Sequence, residues 1–240
     1  MKYLVIRTGG TFPQYAQKHG DFQDWTARNM GIGADEWVCS DVKNGEKLPS
    51  SWDFSGCVIT GSHDMVTDDS LPYLTSVKGW IRDAASHDVP ILGICFGHQL
   101  VADALGGKVG PHPQGPEIGT MQIHKTDQAA NDPLFSTLPD TFPAHTTHFQ
   151  SALTLPDDAV ILAHNKHEPH HAFRIGKHIW GVQFHPEFDA EAMRLYVAEQ
   201  AQAILKNGGD PSLLLSNVTQ THDAASLLCT FTAYCRSLSR

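Results

Sequence analysis

The segment Pro90-Ile91-Leu92-Gly93-Ile94-Cys95-Phe96-Gly97-His98-Gln99-Leu100 constrains this chain more than any other. A short, continuous apolar run reads as a buried strand, and a helix is expected from about Gly97 to Gly106-Gly107. Gly93 and Gly97 lie two residues either side of Cys95. That spacing is the sulfur version of the G-x-S-x-G elbow, a tight strand-to-helix turn in which side chains at those two places would clash. Such a turn projects its central residue from the carboxyl end of a parallel sheet, where open α/β sheets bind ligands. It also sets the thiol at a helix N-terminus, which favours a thiolate. The amide of Phe96 then points at the place where an oxyanion would form. Alone, the pattern also fits a small buried hydrophobe with glycines nearby, since free cysteine is among the most buried residue types.

The rest of the first half fits this reading. Tyr3 to Arg7, Glu36 to Cys39, Gly56 to Thr60 and Val89 to Ile94 are short runs rich in Val, Ile or Leu, and read as strands. Between the last two, Leu74, Val77, Ile81 and Ala84 or Ala85 recur at helical spacing within Leu71 to His87. Alternating strands and helices predict an α/β fold with a mostly parallel central sheet and helices on both faces. In the second half, Ile118 to His124, Ala159 to Ala163, Ala172 to Ile175 and His178 to Phe184 read as strands joined by short turns, with Gly176-Lys177 as a hairpin turn. They predict a mixed, antiparallel extension of the sheet. Ala190 to Leu205 reads as a helix ended by Asn207-Gly208-Gly209, and Pro211 to Arg236 as a further helical segment.

A nucleophilic thiol needs an imidazole to hold it as thiolate and to protonate a leaving amine. The imidazole in turn needs a carboxylate to fix its tautomer. The segment Gly181-Val182-Gln183-Phe184-His185-Pro186-Glu187-Phe188 supplies both. On an extended chain His185 and Glu187 would share a face. One histidine among 15 is ordinarily a surface or structural residue. Its occurrence in this motif, together with the cysteine elbow, argues otherwise.

These two segments resemble the signature motifs of class I glutamine amidotransferases, among them the glutaminase domain of GMP synthases and free-standing relatives. The resemblance covers about residues 50 to 205. It implies a flavodoxin-like fold, with residues 1–207 as the amidotransferase domain and 208–240 as a C-terminal helical extension packed on it. It implies Cys95 as nucleophile, His185 as base and Glu187 as orienter, acting on glutamine or another γ-glutamyl amide through a thioester. Ile59-Thr60-Gly61-Ser62-His63 stands where the family has a Gly-Gly pair that completes the oxyanion hole beside Phe96. Ser62 departs from that pattern, which leaves open whether the Gly61 or the Ser62 amide donates. Gln99, one helical turn past the elbow, is implied to support the substrate. His145-Thr146-Thr147-His148-Phe149-Gln150-Ser151 resembles the family segment that contacts the substrate's α-amino and α-carboxyl ends. That makes His148 and Phe149 substrate-binding candidates, although Phe149 and Gln150 replace the family's Gly and Asp.

Other features set bounds. A formal charge of −9 argues against sequence-independent nucleic-acid binding, which depends on Lys and Arg. No apolar run is long enough to span a membrane. Five cysteines without a CxxC pair disfavour a disulfide framework or a thiolate zinc site, and with the absence of a signal-peptide pattern point to a cytoplasmic setting. His164, His167, His170 and His171 crowd one stretch, but no spacing fits a metal set, so a solvated loop at the rim is expected. His63 and His98 are expected to flank the pocket, where tuning the site and plain packing are equally open roles. Trp25, Trp37, Trp52, Trp80 and Trp180 read as packing residues. Arg7-Thr8-Gly9-Gly10-Thr11 ends the first strand where it can line the crevice, although a lone Gly pair is weak evidence for phosphate binding. The chemistry calls for no metal and no cofactor. With no GxxxxGK[ST] pattern, ATP-dependent synthesis would belong to a separate synthetase partner. Three functions remain open: a glutaminase feeding such a partner, an autonomous γ-glutamyl peptidase, and a non-catalytic binding module.

Overall fold

The structure, a computed structural model, describes residues 1–238. Residues 239 and 240, the end of the expected extension, lie outside the described residues. In chain order the elements are β1 (Lys2–Arg7), α1 (Pro13–His19), α2 (Phe22–Met30), β2 (Trp37–Asp41), β3 (Phe54–Ile59), α3 (Tyr73–Ser86), β4 (Ile91–Ile94) and α4 (Phe96–Ala104). There follow β5 (Lys108–Pro111), β6 (Glu117–Lys125), β7 (Thr141–His148), β8 (Gln150–Thr154), β9 (Val160–His164), β10 (Ala172–Ile175) and β11 (Ile179–Val182). The chain ends in α5 (Ala190–Glu199), α6 (Ala201–Lys206), α7 (Pro211–Ser216) and α8 (His222–Ser237).

A nine-stranded sheet runs β2-β1-β3-β4-β11-β10-β9-β6-β7. The pairs from β2 to β11 are parallel, and those from β11 to β7 are antiparallel. This is the expected α/β architecture, a parallel core with an antiparallel extension. Successive strand residues point to opposite faces. Leu4, Ile6, Cys57, Ile59 and Ile91 pack beneath Leu74, Val77, Ile81, Leu100 and Val101 of α3 and α4. Tyr3, Val58, Leu92, Ile94 and Trp180 face the other way, onto Leu227, Leu228 and Phe231 of α8.

The register of β4 against β11 positions the site. Gly93 lies beside Gly181 and Ile94 beside Val182, and the Cys95 amide donates to the Val182 carbonyl at 2.8 Å. Both strands therefore leave the sheet at one edge, carrying Cys95 and, three residues past Val182, His185.

The structure also departs from the sequence reading. The expected strand to Phe184 stops at Val182. The expected helix over 190–205 breaks at Gln200, and that over 211–236 breaks between Ser216 and His222. The pair α1–α2 was not anticipated. α2 is started by a capping box in which Asp21 accepts from the backbone and Asp24 reaches back to the Asp21 amide. β5 and β8 form a separate two-stranded sheet.

Candidate active site

Cys95 occupies the N-cap of α4 with φ 51° and ψ −99°, a left-handed backbone that L-residues rarely adopt. Close approach on both sides enforces it. A Cβ on Gly93 would lie 2.4 Å from the Gly97 carbonyl oxygen, and one on Gly97 would lie 2.3 Å from that of Ile59. The glycines let α4 sit directly on β3 and β4, and the thiol is turned out into a pocket. It is 5% exposed, and its sulfur is directed at the Thr147 carbonyl oxygen 3.7 Å away.

His185 and Glu187 do not share a face of an extended chain, as the sequence reading had it. Pro186 and Glu187 form a turn closed by the Phe188 amide on the His185 carbonyl at 3.4 Å. Proline's fixed φ suits the second position of such a turn. The turn folds the carboxylate back onto the ring, with His185 Nδ1 2.8 Å from Glu187 Oε1. Phe188 stacks on the imidazole at 4.1 Å, and Asn29 Nδ2 donates to the Glu187 carbonyl. Burial works to lower the His185 pKa, but the Glu187 carboxylate and then the nearby Cys95 raise it to about 10. Its Nε2 is buried with no aligned protein partner. Gly61 lies between the two groups: a Cβ there would meet His185 Cε1 at 3.0 Å and Cys95 Cβ at 3.8 Å.

The pocket is about 210 Å³. Of the sequence candidates it is lined by Cys95, Phe96, Ser62, His63, Gln99, His148, Phe149 and His185. Ser62 is not among the positive-φ residues, so the serine at the family's second glycine position carries no left-handed strain. Its Oγ accepts from the Asp64 amide at 3.1 Å. Gln99 Nε2 donates to the Gln150 carbonyl (2.8 Å) and to Gln183 Oε1 (3.1 Å). His148 faces acceptors at both nitrogens, with Nδ1 3.0 Å from the Gln150 carbonyl and Nε2 3.4 Å from Glu117 Oε2.

Three expectations are corrected. His98 does not flank the pocket: it is fully buried against Phe173, with Nε2 2.8 Å from the His170 carbonyl. The 164–171 histidines are not a solvated loop as a whole. His164 is exposed, but His171 is fully buried with Nε2 3.0 Å from Glu117. Asn165, whose Nδ2 also donates to Glu117, folds the loop inward because the buried carboxylate needs partners. Arg7 to Thr11 do not line the pocket. Arg7 pairs with Asp21 and Asp41, and Gly9 packs against Ser62. Among the described residues no group of three or more His, Cys, Asp or Glu is placed to hold a metal ion. No helix of the described residues is long and apolar enough to cross a membrane.

Sequence reasoning missed Phe12, Phe22 and Tyr196, which complete the pocket wall. Phe188, directly after the His-Pro-Glu motif, was the one neighbour with a local signal.

The profile of the family described as "Glutamine amidotransferase class-I" matches residues 37–202. A GMP synthase [glutamine-hydrolyzing] of Aeropyrum pernix is 39% identical over 77% of this chain, which spans 32% of that relative's length. A GMP synthase [glutamine-hydrolyzing] subunit from Methanococcus vannielii is 29% identical over 85% of this chain and 93% of its own. Gamma-glutamyl peptidase 5 of Arabidopsis thaliana is 28% identical over 79% of this chain and 76% of its own. Among solved structures, a glutamine amidotransferase of Thermotoga maritima superposes with a TM-score of 0.77 at 23% identity, over 98% of this chain and 97% of that one, and so shares the fold.

Proposed function

Because the chain belongs to the class I glutamine amidotransferase family, we propose that it hydrolyses a γ-glutamyl amide through a thioester on Cys95. The supporting observation is one buried constellation at a pocket: the Cys95 thiol on its elbow, and the His185 imidazole held by Glu187. In the first half-reaction Sγ attacks the carboxamide carbon. The oxyanion is met by the Phe96 amide and by an amide of the Gly61-Ser62 turn. His185 gives a proton to the leaving nitrogen, the C–N bond breaks and the acyl group stays on sulfur. In the second, His185 takes a proton from water, which attacks the thioester and releases glutamate. Glu187 holds the ring and stabilises its cation. Gln99, His148 and Phe149 border the glutamyl end, with His148 held in the wall by Glu117.

The relatives that are themselves single subunits of a GMP synthase support delivery of the ammonia to a separate synthetase partner. A second reading, a γ-glutamyl peptidase acting alone, is favoured by the Phe149-Gln150 replacement. The Gln150 side chain is spent on the scaffold, accepting from the Val66 amide at 3.0 Å and donating to Thr67 Oγ1 at 2.5 Å.

Incubating the purified protein with glutamine and γ-glutamyl compounds, and reading glutamate and amine, tests the chemistry. Cys95→Ala is expected to lose at least about 10³-fold in turnover with the fold intact by circular dichroism. Turnover retained in that variant rejects the mechanism.

A further inference from the structure

The turn that carries His185 and Glu187 has little of its own to fix it. Pro186 has no amide hydrogen to donate. The bond that closes the turn, from the Phe188 amide to the His185 carbonyl, is long at 3.4 Å. The carboxylate is tied at one end. Oε1 of Glu187 meets His185 Nδ1 at 2.8 Å, while Oε2 is buried with no hydrogen-bond partner among the described residues. A group held by a single bond swings about it, so the backbone that carries Glu187 must set where the carboxylate lies.

Helix α2 supplies that grip, and it lies outside the family match, which begins at residue 37. Phe22, Trp25 and Asn29 are three and four residues apart, so they share one face of the helix. All three meet the segment from His185 to Phe188. Phe22 stacks on Phe188 with ring centroids 5.9 Å apart and stands 6.3 Å from the His185 ring. Trp25 meets Phe188 edge-on at 5.6 Å. Asn29 Nδ2 donates to the Glu187 carbonyl at 3.1 Å. Apolar burial is non-directional, whereas a hydrogen bond fixes the heading of the carbonyl that accepts it. The helix is itself secured at both ends. The capping box at Asp21 starts it, and Cys229 Sγ of α8 donates to the Asn29 carbonyl at 3.0 Å.

We propose that Asn29 is a positioning residue for the hydrolysis, holding the Glu187 backbone so that the carboxylate stays on His185 Nδ1. The inference rests on the thioester chemistry proposed for Cys95. Asn29 does not line the substrate pocket, so its loss reaches the chemistry through Glu187.

The test compares the full-length wild type with Asn29→Leu, which is similar in volume but has no donor. Values of kcat and KM are read on L-glutamine and on γ-L-glutamylglycine. Asn29→Leu is expected to lower kcat about 10- to 100-fold, the scale on which a displacement of about 1 Å acts. KM is expected to change less than about threefold, since the pocket wall is untouched. Histidine ¹⁵N NMR reads the imidazole directly, with the His185 signal assigned by its loss in His185→Asn. Its titration, near pH 10 in the wild type, is expected to move to lower pH in Asn29→Leu. An imidazolium with a looser counter-charge gives up its proton more readily. A merely structural loss would lower the melting temperature and the active fraction without moving that titration. Asn29→Ala, smaller and a better helix former, carries the same comparison if the leucine variant folds poorly. An unchanged kcat, or a lower kcat with the His185 titration in place, overturns the inference and leaves the thioester reading intact. A wild type that hydrolyses neither compound overturns the thioester reading, and the positioning role falls with it.

Discussion

The electrostatics of the pocket turn on one carboxylate. His185 is sealed from water, which alone would favour its neutral form. Glu187 is the largest of the influences that instead raise it to about 10. A histidine whose folded pKa lies above its unfolded value of about 6.5 adds stability that is fully present below that value. The contribution is lost as pH rises from about 6.5 through about 10. Glu187→Gln keeps the geometry but removes the charge, and its amide can donate to Nδ1, so the tautomer is no longer fixed. The variant is expected to lose about 10²- to 10⁴-fold in kcat, as triads do when the orienting anion is neutralised. Its melting temperature is also expected to fall less steeply than the wild type's between pH 6.5 and 10. Parallel melting curves across that range would mean that Glu187 does not hold the charge on His185.

Elements, not single residues, place the reacting groups. β4 and β11 end in register, and α4 starts so close to β3 that Gly97 leaves no room for a Cβ. Gly97→Ala forces a methyl to within 2.3 Å of the Ile59 carbonyl oxygen, so α4 must lift off the sheet. Overpacking of this kind costs about 1–3 kcal/mol, and the shift carries Cys95 with it. We expect a lower melting temperature and a loss of activity larger than the stability change explains. A fully active Gly97→Ala protein would contradict the elbow. The same elements show what the chain makes legible. Gly93 and Gly97 could be read because the turn's own backbone demands them. His185 and Glu187 could be named, but not their geometry: proline fits an extended segment and a turn alike. Phe12, Phe22 and Tyr196 come from three separate segments, and apolar residues in a sequence read as core. The burial of His171 was hidden because its partner, Glu117, lies on β6 and is brought to it only by the sheet. α2 was missed because its capping box uses Asp24 where Glu or Gln marks the motif.

The whole molecule is closed by a segment beyond the family match, which ends at residue 202. One face of the parallel core lies under α3 and α4, and α8 supplies cover on the other. Leu227, Leu228 and Phe231 are fully buried there, against the face that carries Val58, Leu92, Ile94 and Trp180. Burying each such side chain contributes roughly 1.5–3 kcal/mol, so removing the three costs about 5–9 kcal/mol before the newly exposed sheet face is counted. That rivals the entire stability of a typical domain, about 5–15 kcal/mol. The face in question includes β4 and β11, the strands that deliver Cys95 and His185. A chain ended after Asn207 is therefore expected to be insoluble or to melt without cooperativity, and to show no turnover. Phe231→Ala in the full chain is expected to lose about 3–5 kcal/mol in denaturant unfolding while keeping measurable activity. If the shortened chain instead melts cooperatively within a few degrees of the full one, α8 is an attachment. The site then stands on residues 1–207 alone.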